Sequence, residues 1–459
     1  MAVSTIKSSF IEGNDDTSNL EDNSTRFNPF DIKNRKSIPS FKDRKVLYVI
    51  LSVVILLFVS VLSFGLFFKN SNIISPTLDK LSDIAEESKG ILGDTYENPV
   101  NGVVFPKDKA QEFKDRKPIA VMVNNYVVAR PSSGLSKADV VYEAVAEGGI
   151  TRLMPIFFSK IPDNVGSVRS ARYYFVELAA GYKAHYIHWG AAHVPPCQNE
   201  PSTSLKYCPP VGGKVETEPD VDAYSRIVQL GVPNLDGGNY SCDGEGCAFG
   251  RDPKKLGKMP LEHTAFTRLP LIFDLAKQIR QADSWHKYVE ITKWHFKDDA
   301  SLNERGDIGL TPPITYNYWD TMPGFNVKWE YNKENNEYVR YQGDVKQIDF
   351  ATDEELKAKV IVIRLTKQEL VGDKKNHLYH ELVGKGAALI FQDGKVIKGF
   401  WNRTTHEERD YYTDENGDDV KLNRGQIWVQ LVPVGNKINY GEESSATPPE
   451  GAATNNAKD

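Results

Sequence analysis

Charged side chains gather at the ends of apolar, strand-like runs between residues 117 and 193. Arginines dominate this group, and a guanidinium group offers a planar fork of N–H donors that suits a carboxylate or a phosphate. Arg169 and Arg172 flank Ser170 at a predicted helix start, where free backbone N–H groups also favour an anion. We therefore predict an anion-binding site. Its candidate residues are Arg130, Arg152, Arg169, Ser170, Arg172, His188 and His263.

Two glutamates of the same region, Glu143 and Glu147, admit two interpretations. They could neutralise the neighbouring arginines and hold a sheet together, as ion pairs do in many folds. Alternatively, two carboxylates in a cleft could act as acid and base in a hydrolytic enzyme. No nucleophile motif such as G-x-S-x-G accompanies them. The sequence therefore leaves catalysis open and favours a binding protein over an enzyme.

Histidine and cysteine spacing gives little support for a metal site. A strand places His185 and His188 on opposite faces, so these two side chains do not form a chelating pair. Among the cysteines, only Cys242 and Cys247 come near the short spacing that zinc sites use. We expect neither a metal nor another cofactor.

All four cysteines fall in residues 195–257, a loop rich in proline and glycine with little periodicity. Outside the cytoplasm an even number of cysteines normally pairs off. We therefore predict two disulfides in this loop, with three connectivities open. The cysteines concerned are Cys197, Cys208, Cys242 and Cys247.

An apolar run without a single charge spans residues 46–68. About 20 residues in a helix cross the hydrocarbon core of a bilayer, so this run predicts a transmembrane helix. Basic residues cluster between Lys42 and Lys45, whereas Lys69 stands almost alone after the run, which places the N-terminus in the cytoplasm. A cleaved signal peptide is the alternative. The apolar region of a signal peptide is only about 7–15 residues long, however, and this run is longer.

Strand-like runs alternate with helical patterns after residue 117, which predicts an α/β domain with a mixed sheet. We expect one helix with Ser170 at its N-cap and Gly181 at its end, and a second helix opened by Pro270. Past residue 311, alternating patterns and the turn Asp393-Gly394 predict a mostly β domain. The predicted segments are a disordered cytoplasmic tail (1–45), the transmembrane helix (46–68), a stalk (69–116), the α/β domain (117–310), the β domain (311–439) and a disordered tail (440–459).

Several long segments resemble one bacterial family. PIAVMVNN, ARPSSGLSKADVVYEAVAEGGITRLMPIFF and VGSVRSARYYFVELAAGYKAHYIHWG resemble the YerB-like proteins, domain-of-unknown-function family 3048, and GAALIFQDGKVIKGFWNRTT resembles the C-terminal domain of that family. The resemblance implies a two-domain protein on the outer face of a bacterial membrane, in a family often called lipoproteins and without an established activity. Two features depart from it. No cysteine near the apolar run could accept a lipid, and Leu261-Glu262-His263-Thr264 stands where the family has Pro-His-Asn.

These observations together predict a single-pass protein of the cell membrane whose N-terminus is cytoplasmic and whose bulk is extracytoplasmic. We expect it to bind an anionic component of the cell envelope. A wall-active enzyme that uses Glu143 or Glu147, and a scaffold that binds another envelope protein, are the alternatives. Nucleic acid is not an expected partner, because the formal net charge is −6 and no basic stripe is present.

Overall fold

The computed structural model describes residues 94–194, 221–280, 290–292, 294–373 and 375–441. The predicted transmembrane helix lies outside these residues, as do the N-terminal tail, most of the stalk and nearly all of the C-terminal tail. Within the described ranges, every helix is too short or too polar to cross a bilayer. All described residues belong to one compact unit, residues 89–459.

The described elements are mostly strands, with a few short helices. The helices are α1 (Lys107–Ala110), α2 (Tyr173–Gly181), α3 (Ala223–Gln229), α4 (Gly237–Tyr240) and α5 (Leu269–Arg280). The strands are β1 (Thr95–Glu97), β2 (Val104–Pro106), β3 (Ile119–Val121), β4 (Val123–Asn124), β5 (Val140–Glu147), β6 (Ile150–Phe157), β7 (Val165–Gly166), β8 (His185–His188), β9 (Asn234–Asp236), β10 (Phe249–Arg251), β11 (Ala265–Thr267), β12 (His295–Lys297), β13 (Ile314–Tyr316), β14 (Val327–Asn332), β15 (Glu337–Gln342), β16 (Val345–Lys346), β17 (Lys357–Ala358), β18 (Val360–Thr366), β19 (Gln368–Leu370), β20 (Leu378–His380), β21 (Gly384–Gln392), β22 (Lys395–Arg403), β23 (Tyr411–Asp414), β24 (Lys421–Asn423), β25 (Ile427–Pro433) and β26 (Ile438–Asn439).

A central sheet of eleven strands organises the fold, in the order β23-β22-β21-β18-β25-β5-β6-β3-β8-β9, with β4 paired to β6. β25 runs parallel to both β18 and β5, and β8 runs parallel to both β3 and β9. The other pairs in this sheet are antiparallel. The predicted mixed sheet is confirmed, and so is the mostly β character of the C-terminal region.

The central sheet joins strands from both sides of the boundary predicted at residues 310 and 311. β25, from the C-terminal segment, pairs with β5 from Ile427 opposite Val140 to Leu431 opposite Ala144. Both strands are buried almost throughout, which explains their nearly continuous apolar sequences. The two predicted segments therefore share one sheet and its hydrophobic core.

A second sheet covers one face of the central sheet, and α2 packs on the other face. The strand order of this second sheet is β16-β15-β14-β13-β26, with β17 paired to β15. Along β14, buried and half-exposed residues alternate, as expected for a sheet with one wet face. Trp329 of this sheet meets Trp428 of the central sheet edge to face, with ring centres 5.4 Å apart. This aromatic pair fastens the two layers together.

Helix α2 begins at Tyr173 with Arg172 as its N-cap, so the prediction of Ser170 as N-cap was wrong. Serine is a favoured cap residue, but no side chain caps this helix. Every residue of α2 is buried, and packing sets where it starts. The predicted end at Gly181 is confirmed. A Cβ at this position would lie 2.7 Å from the carbonyl oxygen of Glu408, so glycine permits the close approach. Helix α5 also forms as predicted, with Pro270 as its second residue.

The predicted hairpin at Asp393-Gly394 is confirmed. It joins β21 to β22, and Gln392 lies opposite Lys395 across the turn. The two turn residues have φ angles of 54° and 64°. Consecutive positive φ angles are typical of a type I′ turn, which favours Asp-Gly.

The carboxylate of Asp393 ties this turn to the rest of the fold. It accepts hydrogen bonds from Lys297, from Asn336 Nδ2 at 2.7 Å and from Asn423 Nδ2 at 2.5 Å. Burial opposes ionisation, but these hydrogen bonds outweigh burial and lower the pKa of Asp393 to about 2. The folded protein therefore stabilises the ionised form.

We expect part of the stability to depend on Asp393 between about pH 4 and pH 2. A carboxylate whose pKa is lower in the folded chain stabilises the fold above its unfolded pKa, about 3.9, and loses that contribution as pH falls towards the folded value. Urea denaturation at a series of pH values measures the slope of the free energy of unfolding against pH. The slope should be smaller in Asp393→Asn, and equal slopes in the two proteins would contradict the prediction.

Cys242 and Cys247 form a disulfide with a Cα–Cα distance of 5.6 Å. This confirms one of the two disulfides predicted, and it makes the zinc interpretation of this pair wrong. Cys197 and Cys208 lie outside the described residues. Their disulfide stays a prediction, and the pairing of the other two cysteines leaves a single connectivity for it.

Candidate functional site

The Glu143 carboxylate lies inside the fold, with none of its surface exposed. Arg340 donates a hydrogen bond from Nη2 to Glu143 Oε2 at 2.5 Å, and Gln342 Nε2 donates to Oε1 at 2.8 Å. Asn125 Nδ2 and Thr151 Oγ1 also donate to Oε1, at 3.0 and 2.7 Å. This geometry favours the structural interpretation of Glu143, because the carboxylate is enclosed by its partners and does not open to a cleft.

Arg130 belongs to the same buried cluster. Its Nε donates to the carbonyl oxygen of Asn125 at 3.0 Å, and its Nη1 donates to the carbonyl oxygen of Gly324 at 2.8 Å. The guanidinium carbon lies 4.8 Å from the ring centre of Phe325. Burial lowers the pKa of Arg130 to about 10, while the charge of Glu143 opposes this shift. Arg130 thus interacts with the Glu143 cluster and not with the other arginines of the predicted site.

A β-bulge in β5 turns Glu147 away from the sheet face that carries Glu143. The pairing of β5 with β6 shifts register between Val145 and Glu147. On β6, Thr151 contacts Glu143 and the next residue, Arg152, contacts Glu147. Successive residues of a strand point to opposite faces, so the two glutamates lie on different faces. Glu143 and Glu147 are four positions apart, so in a regular strand they would share a face, but the extra residue of the bulge separates them. The two carboxylates therefore cannot act as an acid–base pair on one substrate.

Glu147 forms a cluster with Arg152 and Arg172 near the surface. Arg172 Nη2 contacts Glu147 Oε1, Arg152 Nη2 lies 3.5 Å from Oε2, and His377 Nε2 lies 3.7 Å from Oε1. Burial would raise the pKa of Glu147, but the two arginines and His377 lower it. Burial and the charge of Arg172 lower the pKa of Arg152 to about 9. Two guanidinium groups face one carboxylate, so the cluster carries excess positive charge.

Arg169 lies in the loop between β7 and α2, next to this cluster. In the part of the chain that the structure describes, its side chain forms no ion pair and no hydrogen bond. Its backbone is held firmly, because its N–H donates to Met122 O at 2.9 Å and its carbonyl accepts from Trp189 N at 3.0 Å. Burial lowers the pKa of Arg169, while Glu262 opposes the shift and Arg251 adds to it. Arg169 is therefore a half-buried cation with a fixed backbone and available donors.

His263 adds a second donor near Arg169. It ends a short 3-10 helix before β11, and Asn124 Nδ2 lies 2.8 Å from its Nδ1. Tyr126 stacks on the imidazole with ring centres 5.6 Å apart. Burial and the charge of Arg169 lower the pKa of His263, so the ring is neutral near pH 7. Because Nδ1 accepts the amide hydrogen of Asn124, the proton of the neutral ring lies on Nε2, which can donate.

His188 and Ser170 have partners within the fold. His188 is buried in β8, with Nδ1 2.9 Å from Gly190 O and Nε2 3.3 Å from Asn234 Oδ1. Burial lowers the pKa of His188, while Asp236 and these two contacts oppose the shift. The carbonyl oxygen of Ser170 accepts a hydrogen bond from Arg152 Nη1. Ser170 therefore orients Arg152, and both ring nitrogens of His188 are used inside the fold.

The structure brings most of the predicted ligand-binding residues to one place, which we call the Arg169 site. Its members are Arg152, Arg169, Ser170, Arg172 and His263, with Glu147 and Glu262 as the neighbouring acids. Asn124, Tyr126 and Arg251 also belong here but were not among the residues predicted from the sequence. The available signal was the pair Asn124-Asn125 at the end of a buried apolar run, next to a loop, where functional residues are frequent. In the described ranges, no group of three His, Cys, Asp or Glu side chains could hold a metal ion.

Two domain models of one sequence family match this chain. Residues 106–199 match the "Protein of unknown function (DUF3048) N-terminal domain", and residues 314–429 match the C-terminal domain of the same family. The chain is also 29% identical over 329 residues to the Bacillus subtilis (strain 168) protein named "Putative lipoprotein YerB". That alignment covers 70% of this chain and 83% of YerB.

The crystal structure of the YerB protein from Bacillus subtilis shares this fold. It superposes with a TM-score of 0.57 at 25% sequence identity, and the match covers 73% of this chain and 96% of the YerB chain. The matched part therefore includes nearly all of the solved YerB structure.

Proposed function

Because the chain carries the N-terminal and C-terminal domains of the DUF3048 family and is homologous to YerB, we propose that it is a membrane-anchored protein of the bacterial cell envelope that binds an anionic ligand at the Arg169 site. The observation that carries the binding proposal is the Arg169 guanidinium, which is half-buried and, among the described residues, forms neither an ion pair nor a hydrogen bond, although Glu262 lies near enough to act on its charge. The name of YerB describes a lipoprotein, and this supports attachment to a membrane.

The anchor we propose is a transmembrane helix at residues 46–68, with the N-terminus in the cytoplasm. Its support is the sequence: the run is apolar, free of charge and long enough for a bilayer, with basic residues before it. Residues 1–93 contain no cysteine that could accept a lipid. The mode of attachment would then differ from that of a lipoprotein, while the folded unit would occupy the same outer face.

The charges around Arg169 favour a carboxylate or a phosphate as the ligand group. Two glutamates, Glu147 and Glu262, balance only part of the positive charge at this site. The charge comes from four arginines: Arg152, Arg169, Arg172 and Arg251. Partial burial strengthens the remaining attraction, because the effective dielectric constant is lower than in water. The Nε2–H of His263 would supply a neutral hydrogen bond beside the guanidinium fork of Arg169. Cell-envelope polymers present both carboxylates and phosphates, so their fragments are the ligands to test.

We expect Arg169→Ala to weaken ligand binding by about 10-fold to 100-fold. Hydrogen bonds to charged groups contribute roughly 1.5–3 kcal/mol, and each 1.4 kcal/mol changes a dissociation constant about tenfold. The measurement is calorimetric titration of the full chain in detergent micelles with glycerol phosphate oligomers and, separately, with muramyl peptides. Rising salt should weaken binding of the better ligand.

Two variants control for simple loss of charge. Lys109→Ala removes one positive charge from exposed helix α1 and should leave binding unchanged. Arg169→Lys keeps the charge but loses the planar fork, so its affinity should fall between those of the wild type and Arg169→Ala. The proposal fails if neither class of ligand binds, or if Arg169→Ala binds as tightly as the wild-type protein.

A further inference from the structure

A polar cavity of about 600 Å³ lies on the second sheet and includes none of the residues of the Arg169 site. Residues of strands β13, β14 and β26 line it, together with Asn317, Asp320, Asp344 and residues 435–437. The volume falls in the range of about 300–1,000 Å³ that is usual for small-molecule sites. The proposed function leaves this cavity unexplained.

Several side chains in this cavity have unused hydrogen-bonding capacity. In the described part of the chain, Thr315, Asn326 and Asn439 line the cavity, and their side chains make no hydrogen bond to other protein groups. Each amide offers two N–H donors and one acceptor oxygen, and the threonine hydroxyl can donate and accept. The cavity therefore presents donors and acceptors side by side.

The formal charges of the cavity cancel. Asp320 and Asp344 line it together with Lys328 and Lys437. Lys328 is already paired, since its Nζ lies 2.7 Å from Glu330 Oε1. The charges of the lining side chains sum to zero, and Glu330, which pairs with Lys328 beside the cavity, leaves a net charge of −1 nearby, so the cavity does not attract an anion. This balance contrasts with the positive Arg169 site and favours an uncharged polar ligand.

A second cavity, of about 400 Å³, adjoins the first and shares Asp320 and Asn436 with it. The indole of Trp319 lines this second cavity and is partly exposed. Its Nε1 donates to Gln368 Oε1 at 3.0 Å, which holds the ring in one orientation. The Asn436 amide donates to Asn317 O and Tyr318 O at 2.8 and 2.9 Å and holds the shared wall in place. The two cavities meet at these shared residues and together form one polar groove, with Trp319 in the second cavity.

We propose that this polar groove binds a neutral oligosaccharide. A sugar ring has hydroxyl groups around its edge, which match neighbouring amide, hydroxyl and carboxylate groups, and an apolar face of C–H bonds, which packs on an aromatic ring. The sugar hydroxyls would form hydrogen bonds with Asn326, Asn439 and Thr315. The apolar face of one sugar ring would pack on the indole of Trp319. The volumes of the two adjoining cavities, about 600 and 400 Å³, leave room for more than one sugar unit. This site is independent of the anion-binding site proposed at Arg169.

The test is titration of the full chain in detergent micelles with three tetrasaccharides: chitotetraose, cellotetraose and maltotetraose. Saturation-transfer NMR detects weak binding, and calorimetry measures the affinity. We expect at least one of them to bind, and we expect Asn439→Ala or Asn326→Ala to weaken that binding about tenfold through the loss of hydrogen bonds. Trp319→Ala should weaken it further, and Trp319→Phe should restore part of the affinity.

Asn335→Ala is the matched control, because Asn335 is an exposed asparagine in the turn after β14 and does not line the groove. Its affinity should equal that of the wild type, as should the affinity of Arg169→Ala. Thermal unfolding of each variant separates loss of binding from loss of the fold. The proposal is overturned if none of the tetrasaccharides binds, or if binding survives unchanged in folded Asn326→Ala and Asn439→Ala.

Discussion

Replacing Arg340 with methionine should lower the free energy of unfolding by about 3–5 kcal/mol, because removing one partner of a buried ion pair leaves the other charge uncompensated. The side chains of Arg340 and Glu143 are 1% and 0% exposed. Methionine still fills the space beside Trp329 and Trp428, whose ring centres lie 5.1 and 4.5 Å from the guanidinium carbon. Lost packing should therefore contribute little. Urea denaturation with comparable slopes for both proteins measures the difference.

Two further variants separate the buried pair from a general effect of losing arginine. Arg424 pairs with Glu97 at the surface, so Arg424→Met should cost only about 0–1 kcal/mol. Combining Arg340→Met with Glu143→Gln removes the isolated charge and should recover part of the lost stability. If Arg340→Met costs no more than Arg424→Met, the structural role assigned to the Glu143 cluster is wrong.

Deleting residues 46–68 should move the protein completely from the membrane fraction to the soluble fraction. About 20 apolar residues in a helix match the thickness of the bilayer core, so the intact chain should resist extraction by alkaline carbonate. Immunoblots of washed membranes and supernatants from cells that express each protein give the measurement. External protease added to protoplasts should also degrade the folded unit of the intact chain, while a cytoplasmic marker protein survives.

A deletion of equal length in the polar tail, residues 10–32, is the matched control. This protein should remain in the membrane, because the apolar run is intact and basic residues still precede it. Carbonate extraction of the intact chain would argue against a spanning helix. Protection of the folded unit from external protease would instead contradict the orientation.

Features that depend on neighbouring residues could be predicted from the sequence. The turn at Asp393-Gly394 requires two positive φ angles, which this residue pair adopts readily. The end of α2 at Gly181 could be recognised because glycine is a frequent helix terminator. Ser170 shows the limit of such signals. A good N-cap residue does not cap the helix when packing places the first turn at Tyr173.

Contacts between distant segments could not be predicted. Glu143 meets Arg340, which lies 197 positions later, and His263 meets Asn124, which lies 139 positions earlier. The spacing of charged residues indicates that a glutamate will pair with an arginine, but the register of the sheet determines which arginine it contacts. The bulge near Glu147 could not be predicted either. One extra residue moves the following side chains to the opposite face of the sheet without changing the apolar pattern of the sequence. These two effects explain why a single predicted cluster became two clusters on opposite faces.

The position of β25 has a consequence for the order in which this protein can fold. β25 lies between β18 and β5, and its first residue, Ile427, pairs with Val140. Strand pairs so far apart in sequence raise the contact order, which slows folding and adds a loop-closure cost that grows with the logarithm of loop length. As the ribosome extends the chain, β5 and β18 are complete long before β25 exists. Until then each of them has an unpaired edge, the kind of surface that recruits other strands and promotes aggregation. β25 pairs with both edges at once, so we expect nascent chains to expose two strand edges until almost the last residue of the folded unit has been made.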